Sequence, residues 1–179
     1  YRKPQIGKVI VRSLLDRTLF VLARAVAVAA PAGLIIWIAA NVSVGDASIL
    51  SHCADFFDPF ARLMGLDGVI LIAFVLGLPA NEIVVPIIIM AYMAQGSLLE
   101  LDSIAQMRDL FIANGWTWVT AVCTMLFSLM HWPCTTALLT IKNETGSIKW
   151  TAVAFLLPTL FGILSCMLVS GMARLFGIG

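Results

Sequence analysis

Five stretches of this chain, residues 25–45, 68–81, 83–99, 110–141 and 150–173, contain no Asp, Glu, Lys or Arg. A helix needs about 20 consecutive apolar residues to cross a bilayer core, and the runs at 25–45, 110–141 and 150–173 meet that length outright. Composition agrees: 61% of residues are hydrophobic, only 12% are charged, and mean hydropathy is +1.01. A soluble domain uses roughly a quarter charged residues to cover its core. In lipid every backbone polar group must be satisfied internally, which leaves helices or closed barrels, and barrel strands would alternate with period two. Runs such as 69–75 and 152–157 do not alternate. The expectation is an all-α protein of polytopic membrane helices with broken or re-entrant segments, and not a soluble enzyme.

Charge is distributed unevenly along the chain. Residues 1–24 carry Arg2, Lys3, Lys8, Arg12, Arg17 and Arg24 against Asp16 alone. This segment is expected to form a basic amphipathic lead-in helix on the membrane surface, with Arg12 and Asp16 paired at i,i+4. Residues 43–67 carry Asp46, Asp55, Asp58 and Asp67 against Arg62. Lys/Arg bias marks cytoplasmic flanks, so the lead-in belongs inside and the 43–67 loop outside. The lead-in runs directly into a membrane span, which argues for the lipid bilayer as its partner and against nucleic acid. The chain opens at Tyr1 with neither Met nor a signal-peptide pattern, so a piece of a longer polypeptide is expected. Cys53, Cys123, Cys134 and Cys166 show no CxxC spacing, and three of them lie in apolar runs, which favours small buried hydrophobes over a disulfide framework.

Residues 25–176 form the expected membrane domain, with spans or hairpins at about 25–42, 69–95, 117–141 and 150–173 and polar loops at 43–67 and 96–116. Within the first loop, roughly Ile49–Met64 is expected to be helical, interrupted by Asp58-Pro59, and to rest Phe56, Phe57, Phe60 and Leu63 on the bilayer surface. Two apolar segments are broken in mid-course. Gly77-Leu78-Pro79 interrupts 69–95, and His131-Trp132-Pro133-Cys134 interrupts 117–141. Paired segments interrupted by Gly or Pro are the best sequence pointer to a transporter binding site, because unwound backbone at membrane depth persists only against a cavity or inside protein. A continuous 69–95 span would put the acidic 96–116 loop inside. A re-entrant hairpin with Gly77-Leu78-Pro79 at its tip puts both loops on the sides that their charges prefer.

Three residues at the breaks carry chemistry. Glu82 is the sole acidic residue between Gly68 and Leu99; an ionisable group there is costly and marks function by default, while the competing role is an N-terminal cap for a helix over 82–95. Cys134 follows Pro133, which places it at the start of a new half-helix, where a thiol is biased toward the metal-binding thiolate; the competing role is inert packing. His131 is a candidate metal ligand, or else a partner for a backbone carbonyl that Pro133 frees. Met90 and Met130 are soft donors in principle but fit better as core filler, and His52 fits a solvated outer position. No phosphate loop, Ser/His/Asp set or dinucleotide fingerprint is present.

These residues also resemble the ferrous iron transport protein B (FeoB) family. Tyr1-Arg2-Lys3-Pro4 is similar to the Tyr-Arg-x-Pro that leads into that family's second gate domain. Gly77-Leu78-Pro79-Ala80-Asn81-Glu82-Ile83-Val84 is similar to its Gly-x-x-Ala-Lys-Glu-Val-Val break. Trp132-Pro133-Cys134, with the run from Ile141 through Lys142-Asn143-Glu144-Thr145-Gly146-Ser147-Ile148-Lys149 to Trp150, resembles its Pro-Cys and Lys-x-Glu-Thr-Gly-Ser-x-Lys-Trp signature. Asn81 replaces a common Lys, and His131 stands where an apolar or aromatic residue is usual. The resemblance implies a membrane gate domain of a GTP-dependent Fe²⁺ transporter in a bacterial inner membrane, multi-pass. Fe²⁺ would be the transported ion, and Glu82 and Cys134, with His131 less securely, the residues that meet it. GTP would enter only through a cytoplasmic G domain elsewhere in the polypeptide. That domain and a first gate domain would be partners, with homo-oligomerisation left open. Two other functions remain: a gate-type carrier of nucleosides or other organic solutes, which would want aromatic and amide groups such as Trp132 and Asn81 at the break, and a membrane assembly protein without transport.

Overall fold

The computed structural model describes residues 33–44, 47–93 and 103–177, together with 18, 19, 22, 23, 26, 27, 30 and 31. The expected lead-in helix over 1–24 falls almost wholly outside the described residues. Helix α1 is described over 33–41, where Trp37 is exposed and Asn41 donates its side-chain amide to the Trp37 carbonyl at 3.0 Å. The chain then makes a minimal antiparallel ladder, Ser43–Val44 with Ala47–Ser48. This is the one strand pairing among the described residues, and it reverses the chain into α2.

Helix α2 spans Ile49–Leu63, started by the Ser48 hydroxyl accepting from the Ser51 amide. It buries Leu50, Ala54 and Ala61 and turns Phe56, Phe60 and Leu63 outward. Asp58-Pro59 does not interrupt it, contrary to the sequence expectation; Pro59 sits on an exposed face, where the intrahelical bond it deletes is the least costly to lose. A tight turn at Gly65 leads to Asp67, whose carboxylate caps α3 (Gly68–Leu76) by accepting from the Ile70 amide at 2.7 Å. Helices α2 and α3 meet at 109°. Asp55, Asp58 and Arg62 make α2 unsuited to the hydrocarbon core, so this bent pair is a surface helix followed by an inserted one rather than a single span.

Helix α3 is apolar on every side and buries six of its nine residues, as a helix surrounded by protein must. After Gly77–Ala80 and a short 3₁₀ turn, Asn81–Ile83, helix α4 (Val84–Tyr92) runs back along it. The return is fixed at the open end, where the Tyr92 hydroxyl donates to the Asp67 carboxylate. At 1.5 Å per residue each nine-residue limb is only ~14 Å long, half of a ~30 Å hydrocarbon core. Gly68–Leu76 and Val84–Tyr92 thus form a helical hairpin with its tip at Gly77-Leu78-Pro79, the shape that a re-entrant segment requires.

The 96–116 segment, expected as a polar loop, contains helix α5 (Ile104–Ala113), capped by Ser103 and stopped at Asn114-Gly115, where Gly115 takes φ +83°. Helices α6 (Trp118–Met130) and α7 (Thr135–Thr145) continue one another across the 131–134 break as one apolar rod of 28 residues. Gly146, at φ +61°, ends α7 in the left-handed conformation that permits a short reversal. Helix α8 (Ile148–Leu175) then returns along the whole rod. Each rod is ~42 Å long, enough to cross a bilayer. Their seam is built from small residues: Thr159, Gly162, Cys166, Ser170 and Ala173 recur every three or four positions on α8 and face Val119, Cys123 and Phe127. Membrane helices pack closely through such residues. The thiols of Cys123 and Cys166 donate reciprocally to each other's backbone carbonyls, the packing role expected of a buried cysteine.

Candidate functional site where two helix breaks meet

The hairpin lies alongside α6. Its base is anchored at the start of the rod, where Trp116 donates its indole N–H to the Tyr92 hydroxyl at 2.8 Å. Its tip is anchored at the middle of the rod. There Thr135 donates its backbone N–H at 2.9 Å and its hydroxyl at 3.2 Å to the Leu78 carbonyl. Both breaks create orphans: Pro79 stops α3 and leaves carbonyls unpaired, and Pro133 precedes amides at the start of α7 with no partner in their own helix. Each break supplies what the other lacks.

This junction brings Glu82 and Cys134 together. Glu82 is exposed in the middle of the 3₁₀ turn and makes no hydrogen bond with another described residue. It does not close the helix end as a hydrogen-bonded cap, and α4 begins only at Val84, two residues later than expected. Cys134 is half-buried at the N-cap of α7, one position before its first turn, with Sγ 3.1 Å from the Thr136 hydroxyl and the amides of Thr136 and Ala137 close by. One carboxylate and one thiol therefore share the crossing of the two breaks.

His131 is placed differently. It is 9% exposed, and Nδ1 bonds the carbonyls of Phe127 at 3.0 Å and Ser128 at 2.9 Å. That is the carbonyl-partner role weighed from the sequence. The ring packs among Phe74, Phe127 and Trp132, turned into the aromatic core, and Nε2 finds no partner there. Trp132 is also buried, stacked on Phe155 of α8. Met90 is buried filler, and Met130 accepts a hydrogen bond from Ser165 through its sulfur. Among the described residues no three His, Cys, Asp or Glu side chains converge as a metal cluster.

Sequence reasoning passed over Thr135, the Leu78 carbonyl and the Asp67–Tyr92–Trp116 chain. The signals were present: Asp67 two residues before an apolar run has the form of an N-cap, and Tyr92 carries the one hydroxyl between Val84 and Met93. Their mutual proximity depends on the hairpin and could not be read from spacing.

The Gate family model, described as nucleoside recognition, matches residues 22–148, well over half of the chain. The Fe(2+) transporter FeoB of Leptospira biflexa serovar Patoc is 26% identical over 139 residues, covering 74% of this chain and 20% of the relative. The chain thus spans about a fifth of the length of the curated relative it matches. No solved structure matches. The match covers α1 through α7, including both breaks and the polar turn after them. The chain belongs to the Gate family and is similar to part of an Fe(2+) transporter FeoB.

Proposed function

We propose that this domain forms part of an Fe²⁺ permeation path, with Glu82 and Cys134 as the residues that meet the ion. The observation that carries this reading is the junction itself: two helix breaks tied by Thr135 and Leu78, with an unengaged carboxylate and a half-buried thiol at the crossing. An ion crossing a low-dielectric layer needs oxygen or sulfur donors to replace its water. A carboxylate and a thiolate reduce that dehydration cost. Two protein anions are too few for permanent capture, so the ion can leave again. The half-helix start at α7 presents positive partial charge, which favours the thiolate and opposes the cation. The anionic side chains must outweigh it, aided by donors from the rest of the polypeptide.

Because the chain spans a fifth of its curated relative, coupling to GTP is assigned to a G domain elsewhere in the polypeptide. A nucleoside-carrying gate would need an aromatic face at the break. Trp132, the aromatic residue of the second break, is spent on Phe155 and buried, which favours the ion.

Radioactive iron uptake by cells expressing the full-length protein tests the reading. Cys134→Ser and Glu82→Gln should each cut uptake about tenfold or more, the loss of a charged ligand worth at least ~1.4 kcal/mol, while membrane expression and GTP hydrolysis persist. Normal uptake by both variants at matched protein level would leave Glu82 a solvated turn residue and Cys134 a packing residue.

A further inference from the structure

A polar cavity lies at the opposite end of α6 from the junction. It encloses about 390 Å³ between the Gly65 turn, the start of α6 and the end of α8, and Thr117, Thr120, Ser170 and Arg174 line it. Two features give it positive character, and a third adds a neutral donor. The first turn of α6 opens onto it: Thr117 caps the Thr120 amide at 3.3 Å, which leaves the Trp118 and Val119 amides without intrahelical acceptors at the positive end of a 13-residue helix. Arg174 uses one N–H on the Arg62 carbonyl, and a guanidinium has five. Ser170, 2% exposed, lines the cavity, and its hydroxyl makes no hydrogen bond with another described residue.

Among the described residues that line the cavity there is no acid to answer this charge. Asp58 is engaged by Arg62 and the Gly68 amide, and Asp67 by Tyr92 and the Ile70 amide. At the cavity floor Gly65 packs closely on α6 and α8: a Cβ there would stand 3.0 Å from the Cys123 sulfur and 3.0 Å from the Ser170 Cβ. The Ser170 hydroxyl is a donor at the cavity wall that an occupant with acceptor oxygens would engage. Phosphate suits all the donors at once: hydroxyls, free amides at a helix start, and a guanidinium fork. Exposed Trp118 beside the cavity marks the depth at which lipid headgroups lie.

We propose that this cavity binds a phosphate-bearing anion, supplied as a phospholipid headgroup or as free phosphate. The site is separate from the iron path and does not depend on that reading.

The experiment uses the delipidated full-length protein in a neutral detergent, with thermal unfolding and native mass spectrometry as readouts. The probes are phosphatidylglycerol, inorganic phosphate, and diacylglycerol as a lipid without phosphate. Phosphatidylglycerol or phosphate should raise the melting temperature and diacylglycerol should not. A shift with phosphatidylglycerol alone assigns the source to lipid; a shift with inorganic phosphate assigns it to the free ion. Apparent affinity should fall about tenfold in Arg174→Gln, as expected for a lost charge-assisted bond, and about threefold in Ser170→Ala, as expected for a neutral one. Ser170→Ala keeps the test valid if Arg174→Gln loosens the Arg62 contact. No shift with either phosphate probe, an equal shift with diacylglycerol, or unchanged affinity in both variants would overturn the proposal.

Discussion

The Leu78 carbonyl accepts two hydrogen bonds from one residue, the amide and the hydroxyl of Thr135, and through them the tip of a re-entrant hairpin is fixed against the middle of a membrane rod. The hydroxyl bond can be removed without changing side-chain shape. Thr135→Val should cost about 1 kcal/mol and lower iron uptake by misplacing Glu82 relative to Cys134, while Thr135→Ser keeps both donors and should retain uptake. If the Val and Ser variants transport alike, the tie between the breaks has no part in the path.

The base of the same hairpin predicts a pH dependence. Burial raises the Asp67 carboxyl above its ordinary range, against the lowering effect of the Tyr92 and Ile70 donors. The folded state therefore holds this proton more tightly than the unfolded chain. Its contribution to stability is complete below the usual carboxylate pKa and is lost as pH rises through the raised value. Asp67→Asn keeps a competent N-cap and has no proton to lose, so its unfolding temperature should be flatter across mildly acidic pH than that of the wild type. Tyr92→Phe should cost about 1–3 kcal/mol at any pH, because it leaves Trp116 and Asp67 without a shared partner. Parallel pH profiles for wild type and Asp67→Asn would remove Asp67 as the source.

The hairpin also predicts sidedness. Its two ends emerge on one face, so the segment after α4 returns to the side from which α3 entered. The α7–α8 turn, with Lys142 and Lys149, lies at the far end of the rod and belongs inside by the positive-inside bias. In intact cells an impermeant maleimide should label Asn114→Cys and spare Asn143→Cys. Both residues are exposed, so equal labelling would require another topology.

Most of the fold was legible because membrane helices announce themselves by what they lack. The uncharged runs located α6–α7 and α8 within a few residues, and the interruptions at Gly77-Leu78-Pro79 and His131–Cys134 fell where the helices stop. Helix α5 was hidden because a ten-residue helix between polar flanks resembles a loop in composition, although Ser103 and Gly115 mark its ends. At the candidate site, residue type and position at a break are what single out Glu82 and Cys134 in the sequence, and the structure places both at the breaks that Leu78 and Thr135 tie together. The orientation of His131 was not legible, since Nδ1 is held by carbonyls three and four residues earlier and the ring is steered by Phe74 from another helix.

Two glycines separate side-chain from backbone crowding at the ends of α3. A Cβ on Gly77 would stand 2.5 Å from Val84 Cγ2 and 3.0 Å from the Ala73 carbonyl oxygen, so the closest conflict is with a removable methyl group. A Cβ on Gly68 would stand 1.9 Å from the Ala54 carbonyl oxygen and 2.8 Å from its carbon. No trimming of a side chain relieves that contact, and α2 must move away from α3. Overpacking of a tight core costs about 1–3 kcal/mol, occasionally more. Gly77→Ala should therefore lose stability and recover part of it in the Gly77→Ala/Val84→Ala double variant, with a favourable coupling between neighbouring sites. Gly68→Ala should be the more damaging single change, and adding Ala54→Gly should restore nothing because the obstacle is the residue-54 carbonyl. Thermal unfolding of these variants and of Val84→Ala alone in detergent decides it: additive losses at 77 and 84, or a rescue of Gly68→Ala by Ala54→Gly, would contradict the packing of α3 against α4 and α2.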